Sequence, residues 1–356
     1  MIESLLEIIQ KFDINKKYSL LILIGIVSIW AIISSFELTF PYENCKDFGI
    51  YTQYGVGLCT DYGMRLMQLY HLDISKTWEN PLALGIVFIF LITSNIIFGD
   101  YRILSFISSG LLLAITYFLT VKITGKNYSG LVSVLFLLHS PIFWKYDLTI
   151  TYPTFWATFF LGSLYFLYKS YVASIPLYLL GISAKILNLL NFPVMLAFII
   201  LSDIKHKKKL IIIYCGSLAV LMISLHLFSK DFTPFVVEFF KFRPEEFLWY
   251  LGMWSLKLSN DKITIVVIFT SLVFLFMLRR AKVKNASALL LSILLIMIQP
   301  AIISGFSDYT NEEYRFLVLV AITGISLSLI IANPQIIKYQ ANSMMRSMQK
   351  RKTTSL

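Results

Sequence analysis

The sequence predicts an all-α fold, a polytopic transmembrane helical bundle of about ten spans, and three observations lead there. First, 57% of the 356 residues are hydrophobic and only 14% are charged, with a mean hydropathy of +0.74. A soluble domain carries about 25% charge and about 45–50% apolar residues. This chain has too little polar surface to cover a soluble core, which excludes a free cytosolic enzyme, a disordered chain and a collagen-like fibre. Second, the apolar residues form continuous runs long enough to cross a bilayer, which needs about 20 residues per helix, and they do not alternate as barrel strands do. Third, Lys and Arg gather in short segments between the runs, as they do on the cytoplasmic side of membrane proteins.

Taken in order, the runs are 18–36, 103–121, 129–144, 152–169, 172–184, 187–202, 209–228, 263–278, 285–303 and 316–333, with a further apolar stretch at 82–98. The first is too long for a cleaved signal peptide and lacks a small-residue cleavage site. Four basic groups fix the orientation: Lys11, Lys16 and Lys17; Lys205, Lys207, Lys208 and Lys209; Arg279, Arg280, Lys282 and Lys284; and Lys338, Arg346, Lys350, Arg351 and Lys352. All are expected in the cytoplasm. The chain must then cross an even number of times before Lys205. Six crossings satisfy this without 82–98, and seven with it do not. The 82–98 stretch is therefore expected as an interfacial or partly inserted helix on the outer side. Both termini are expected in the cytoplasm of a multi-pass cell-membrane protein.

This topology explains the net charge of +11. The inner segments hold 19 of the 31 basic residues and only four of the 20 acids, Glu3, Glu7, Asp13 and Asp203. The excess is an orientation signal, not a nucleic-acid site. The expected organisation is a single membrane domain over 1–356. It has a first outer loop with its interfacial helix at 37–100, a second outer loop at 229–262 and a basic cytoplasmic tail at 334–356. The second loop carries Phe239, Phe240, Phe242, Phe247, Trp249, Tyr250 and Trp254, a composition suited to lying at the headgroup level. No internal repeat is visible. Cys45 and Cys59 share the first outer loop and are either a disulfide or two free thiols. Cys215 lies in an apolar run, and His71, His139, His206 and His226 are too scattered for a metal site.

Residues that could carry chemistry cluster towards the outer side. Asp47, with Tyr51 four residues on, stands just past the first span, where a carboxylate can take a proton from an incoming hydroxyl or amine. The alternative is a solvated loop acid. Glu79 precedes the 82–98 helix. Arg102 opens a span and either snorkels to a headgroup or holds a phosphate. Lys145 and Asp147 share one outer turn and read equally as a loop ion pair. Lys185 interrupts an apolar stretch, which makes it a functional candidate, or it marks a turn between spans. Tyr314 and Arg315 open the last span, as a phosphate ligand or as an interfacial anchor.

The order of these elements is more informative than any one of them. The chain resembles the GT-C superfamily of polyprenol-phosphate-sugar-dependent glycosyltransferases, in the protein-mannosyltransferase and aminoarabinose-transferase branch. Asp47 and Tyr51 match that family's first-loop acid and Tyr, with Phe48 where a second acid is usual. Glu79-Asn80-Pro81, Phe98-Gly99 and Arg102-Ile103 come next at similar spacing, although the family often has Lys or Pro at the place of Asn80. Then come a basic turn, Lys122–Lys126, the Ser140-Pro141 pair, and a Gly-x-x-x-Lys element at Gly181 and Lys185. Asp147 is offset from the family's usual Asp site, which falls nearer Tyr152-Pro153. Tyr314-Arg315 reverses the family's Arg-Tyr order. The likeness covers about residues 20–200 and, loosely, the last spans.

The resemblance implies an enzyme that moves a sugar from a polyprenyl-phosphate or polyprenyl-diphosphate donor to a protein, lipid or glycan acceptor, with inversion. It implies that Asp47 is the base. Tyr51, Glu79, Arg102, Asp147, Lys185, Tyr314 and Arg315 would bind substrate, and the cations would neutralise the leaving phosphate. No cofactor is required by this reading, although Asp47, Glu79 and Asp147 could gather around a divalent cation. Two other classes stay open. A transporter would place its charges at mid-membrane and show a repeat. A non-catalytic assembly subunit would tolerate the imperfect acid motif.

Overall fold

The computed structural model describes residues 13–39, 86–100, 102–148, 153–228, 242–258, 261–306 and 313–339. All regular structure among them is helical. The order is α1 Lys16–Leu38, α2 Ile86–Phe98, α3 Ile103–Thr124, α4 Asn127–His139, the short α5 Pro141–Tyr146, α6 Pro153–Lys169, α7 Tyr171–Ala184, a 3-10 helix Ile186–Asn191, α8 Phe192–Leu201, α9 Lys207–Phe228, α10 Pro244–Lys257, α11 Lys262–Arg280, α12 Ala286–Phe306, a second 3-10 helix Glu313–Phe316, and α13 Leu317–Ala332. Segments within α1, α3, α11 and α12 are long and apolar enough to cross a membrane, and α4, α7, α8 and α13 contain shorter apolar helices.

Large apolar side chains cover the outside of several helices, and small polar ones are buried inside beside a core of large apolar residues such as Leu112, Tyr117, Phe160 and Phe198. Ile24, Ile29, Ile32 and Phe36 of α1, and Val266, Phe269 and Val273 of α11, are exposed. Ser105, Ser108, Ser109, Thr116, Thr120, Ser133, Ser163, Ser292 and Ser326 are buried. Interfaces between helices in lipid favour such small residues because no hydrophobic gain distinguishes a neighbouring helix from an acyl chain. Several of these hydroxyls return to their own helix: Thr116 donates to the Leu112 carbonyl at 2.7 Å and Ser292 to that of Ala288 at 2.7 Å. Gly130 lets α4 approach α3 closely, because a Cβ there would stand 2.5 Å from the Tyr117 ring. Helix α13 is the central element, packed against α3, α4, α6, α11 and α12.

Hydrogen bonds between turns sort the helix ends into two faces. At one end, Asp13 accepts from the Asn127 backbone at 2.8 Å, Asn285 donates to the Ile123 carbonyl at 3.3 Å, and the Tyr168 hydroxyl lies 2.9 Å from Asn285 and 3.0 Å from Ser202. Asp203 and Lys284 pair across the same face at 2.7 Å. The basic segments 205–209 and 279–284 therefore lie together, as their charge predicted. We term this the basic end. At the opposite end, Leu38 meets Arg102, Ser140 meets Asp261, and the Arg243 backbone donates to the Gly305 carbonyl at 2.6 Å.

Two boundaries differ from those read in the sequence. The run 129–144 breaks at Ser140-Pro141 into α4 and α5. The run 187–202 starts as a 3-10 helix, and α8 proper begins only beside Pro193. Of the apolar stretch 82–98, residues 86–98 are described and form one helix, α2. It packs on α3 and α7, with Phe90 stacked on Phe155 at 5.5 Å, near the start of α6.

Candidate functional site

Helix lengths decide where the polar residues sit. Helix α3 has 22 residues and α12 has 21, so each rises more than 30 Å from the basic end. Helices α4 and α7 start at the same end with 13 and 14 residues and stop after about 20 Å. The segments that continue from them, Ser140 to Asp147 and Lys185 to Asn191, lie below the far ends of their longer neighbours. The chain thus brings polar turns to a level that the longer apolar helices pass beyond.

The first of these turns is fixed by Asp147. Its carboxylate accepts from Trp30 Nε1 at 2.9 Å and from Ser34 Oγ at 2.7 Å, and its carbonyl accepts from Ser109 Oγ at 2.6 Å. Trp30 and Ser34 are four residues apart, hence on one face of α1. Trp30 is held in turn by stacking on Phe106, centroids 4.9 Å apart. Asp147 is 2% exposed, and in place of the loop ion pair with Lys145 that the sequence also allowed it forms a buried tie between α1, α3 and α5. Beside it, Lys145 stands 5.5 Å from the Tyr146 ring centroid. The 3-10 helix that carries Tyr314 and Arg315 packs on α5, which places Arg315, half-buried, next to this turn.

One turn further along α1, the Leu38 carbonyl accepts from Arg102 Nη2 at 3.0 Å. Arg102 is 3% exposed and grips Asp100 through Nε and Nη2 at 2.7–3.2 Å, while its backbone N–H donates to Asp100 Oδ1 at 2.7 Å. Gly99 makes the turn possible with a left-handed φ of 75°, and Ser94 locks it by donating to the Asp100 carbonyl at 2.6 Å. Burial alone would push the Asp100 carboxyl up, but the Arg102 hydrogen bonds outweigh it and hold the group below its ordinary value. Asp100 reads as an ordinary turn residue in the sequence; here it is the partner that lets Arg102 be buried.

The second turn joins α7 to α8. Lys185 is 7% exposed in extended backbone, and its N–H caps α7 by donating to the Gly181 carbonyl at 3.1 Å. An amide chain comes next. Gln299 of α12 donates to the Asn191 side-chain oxygen at 2.8 Å and to the Leu190 carbonyl at 3.0 Å, and Asn191 donates to Asn188 at 2.5 Å. Gly181 gives the Asn188 amide its place, since a Cβ there would collide with it. Among the described residues, the buried donors Asn188 Nδ2 and Trp156 Nε1 find no hydrogen-bond partner. A third junction pairs Ser140 with Asp261, whose other oxygen caps α11 by accepting from the Thr264 N–H at 3.0 Å.

Of the residues singled out in the sequence, Arg102 and Asp147 are brought to the same end of α1, with Arg315 on the element packed against α5. Lys185 occupies the separate α7–α8 junction at the same end of the bundle. Asp47, Tyr51, Glu79, Cys45 and Cys59 lie outside the described residues. Among the described residues no three His, Cys, Asp or Glu side chains gather. Sequence reasoning missed Trp30, Ser34, Asp100, Asp261, Asn188, Asn191 and Gln299. The available signal was a polar residue inside an apolar run, most clearly Gln299 and the Asn188/Asn191 pair. Chemically, the far end offers guanidinium, ammonium and amide donors, which suit an anion and a hydroxyl-rich group, beside carboxylates that accept protons.

Fold and site together define an all-helical protein of membrane character whose charged side chains are buried towards one end. No protein-family model, curated protein or solved structure matches the chain.

Proposed function

We propose that this chain is a ten-span membrane glycosyltransferase, with its basic end and both termini in the cytoplasm and its site opening at the outer face. The observation that carries the reading is the burial of Arg102, Asp147 and Lys185 towards the end opposite the basic loops. Ionisable groups inside a lipid-facing bundle are expensive and mark substrate sites. The positions also keep the order of the glycosyltransferase resemblance.

In this mechanism a polyprenyl-phosphate sugar enters from the outer leaflet. An acceptor oxygen attacks the anomeric carbon and forms the new glycosidic bond. The bond from that carbon to the phosphate oxygen breaks, and its electron pair leaves with the phosphate. The acceptor's proton passes to Asp47. Arg102, Lys185 and Arg315 stabilise the charge that develops on the phosphate. Arg suits two oxygens at once and Lys a single one. Asp100 keeps the Arg102 guanidinium oriented until a phosphate competes for it.

The test is sugar transfer in proteoliposomes from a radiolabelled polyprenyl-phosphate donor. Asp47→Asn is expected to lower transfer by at least about 100-fold while the protein inserts normally, because general-base contributions are of that order. Unchanged transfer removes Asp47 from the mechanism. Cysteine labelling at positions 100 and 124 checks the orientation. Position 100 is expected to react from outside and position 124 from the cytoplasm, and the reverse overturns it.

A further inference from the structure

We infer that the basic end of the bundle carries a site for an anionic phospholipid of the adjacent leaflet, independent of the chemistry at the far end. Two basic arms flank it. One is the segment before and at the start of α9, with Lys205, Lys208 and Lys209 exposed; the other is the end of α11 and its turn, with Arg279, Arg280 and Lys282 exposed. The arms are not independent loops. The 2.7 Å Lys284–Asp203 pair joins them at the surface, and Tyr168, bridging Ser202 and Asn285, joins them beneath it. Asp203 is the one acid in either segment, 203–209 or 279–285, and Lys284 already pairs with it. Six further cations are exposed at the same rim.

Below the rim the surface is apolar. Helix α8 packs on α9 and α12, and α12 packs on α11, so α8 and α12 form the floor between the two arms. Exposed on these four helices, within about three turns of the rim, are Ile212 of α9, Ile200 and Leu201 of α8, Leu291 of α12, and Val273 and Phe276 of α11. The guanidinium carbon of Arg280 stands 4.7 Å from the Phe276 ring centroid, so this cation lies against the apolar surface just below the rim. A headgroup phosphate between basic arms, with acyl chains on the apolar strip beneath, matches both halves of an anionic lipid. A zwitterionic lipid satisfies the strip and leaves the rim charge unanswered.

The probe is phosphatidylglycerol, with phosphatidylcholine and glycerol 3-phosphate as controls, read by native mass spectrometry of the purified full chain. Phosphatidylglycerol is expected to be retained at least about tenfold more strongly than phosphatidylcholine. Replacing Lys205, Lys208, Lys209, Arg279, Arg280 and Lys282 together by Gln is expected to erase that preference. Equal retention of the two lipids, or a preference that survives the substitutions, overturns the site. Displacement of the lipid by glycerol 3-phosphate at matched concentration overturns the lipid in favour of a free phosphate. A second measurement does not depend on the substituted protein folding. A photo-reactive residue at Ile212 is expected to capture the acyl chain of labelled phosphatidylglycerol. One at Leu227, equally exposed on α9 but near its other end, is not. Equal capture at both positions also overturns the proposal.

Discussion

Two ion pairs of the same 2.7 Å length stand at opposite ends of the bundle. In one, Lys284 and Asp203 are 75% and 73% exposed; in the other, Arg102 and Asp100 are 3% and 24% exposed. Length is therefore no guide to their worth. Water and salt screen the first, so its attraction nearly cancels the cost of ordering two long side chains. The second replaces lost hydration with a guanidinium–carboxylate fork, a backbone N–H and the Leu38 carbonyl, and losing any partner strands a charge in the bundle. The basic end holds charge in solvent, where it orients and attracts. The far end holds charge in protein, where it positions.

The largest expected effect lies in the buried set. Asp147→Ala removes the acceptor of both Trp30 Nε1 and Ser34 Oγ and leaves two donors without a partner below the far ends of the long helices. We expect a loss of about 3 kcal/mol, by analogy with breaking one side of a buried polar network. It is read as a fall in melting temperature of the detergent-solubilised protein. Both donors use the same carboxylate oxygen, so Asp147→Asn, which can present one amide oxygen to both, is expected to lose less than half as much. Equal losses from the two variants would show that charge, and not the acceptor geometry, holds α1 in place.

Acid is expected to act next. The Asp100 carboxyl is held below its ordinary value in the folded protein, so the unfolded chain binds the proton more readily. Its contribution is then fully present above the unfolded value near pH 4 and is lost as pH falls through the lower folded value. Asp203 is shifted the same way by Lys284 but stands in solvent. Melting curves between about pH 6 and pH 2.5 are expected to show an acid-side loss that Asp100→Asn flattens and Asp203→Asn leaves in place. The opposite pattern would put the important pair at the basic end.

Much of this contrast was legible in the sequence. The runs mark the helices to within a few residues, because a lipid-facing segment must be apolar throughout and its end is set by charge or proline. The basic end was legible for the same reason. At the far end the positions of Arg102 and Lys185 stood out, since a cation in an apolar setting is conspicuous. The partners of Arg102 and Asp147 did not. Asp100 looks like any turn acid, and Trp30 and Ser34 look like filler in a long span. What ties Trp30 and Ser34 to Asp147 is a contact from α1 to a turn more than 100 residues away, and no local pattern encodes that distance. The halting of α4 after about four turns was hidden, because Ser140-Pro141 interrupts the apolar run 129–144 without ending it, whereas the end of α7 just before Lys185 was legible in the run 172–184.

The smallest expected effect tests the other side of the comparison. Lys284→Ala breaks the exposed pair with Asp203, yet the face stays joined by Tyr168, Ser202 and Asn285, of which Asn285 also reaches the Ile123 carbonyl. We expect no resolvable change in melting temperature, and none when the wild type is taken from low to high salt. Asn285→Ala, which removes a buried acceptor and donor from three elements at once, is expected to cost about 1–2 kcal/mol. Asn285 also sits at φ 64°, in the left-handed region that Asn tolerates better than Ala, and this strain adds to the loss. Measuring Asn285→Gly separates the two. Gly relieves the backbone and still lacks the amide, so whatever loss remains belongs to the hydrogen bonds that tie α3, α6 and α12 together. A Lys284→Ala loss as large as that of Asn285→Ala would mean that the exposed pair, and not the buried amide, closes the basic end.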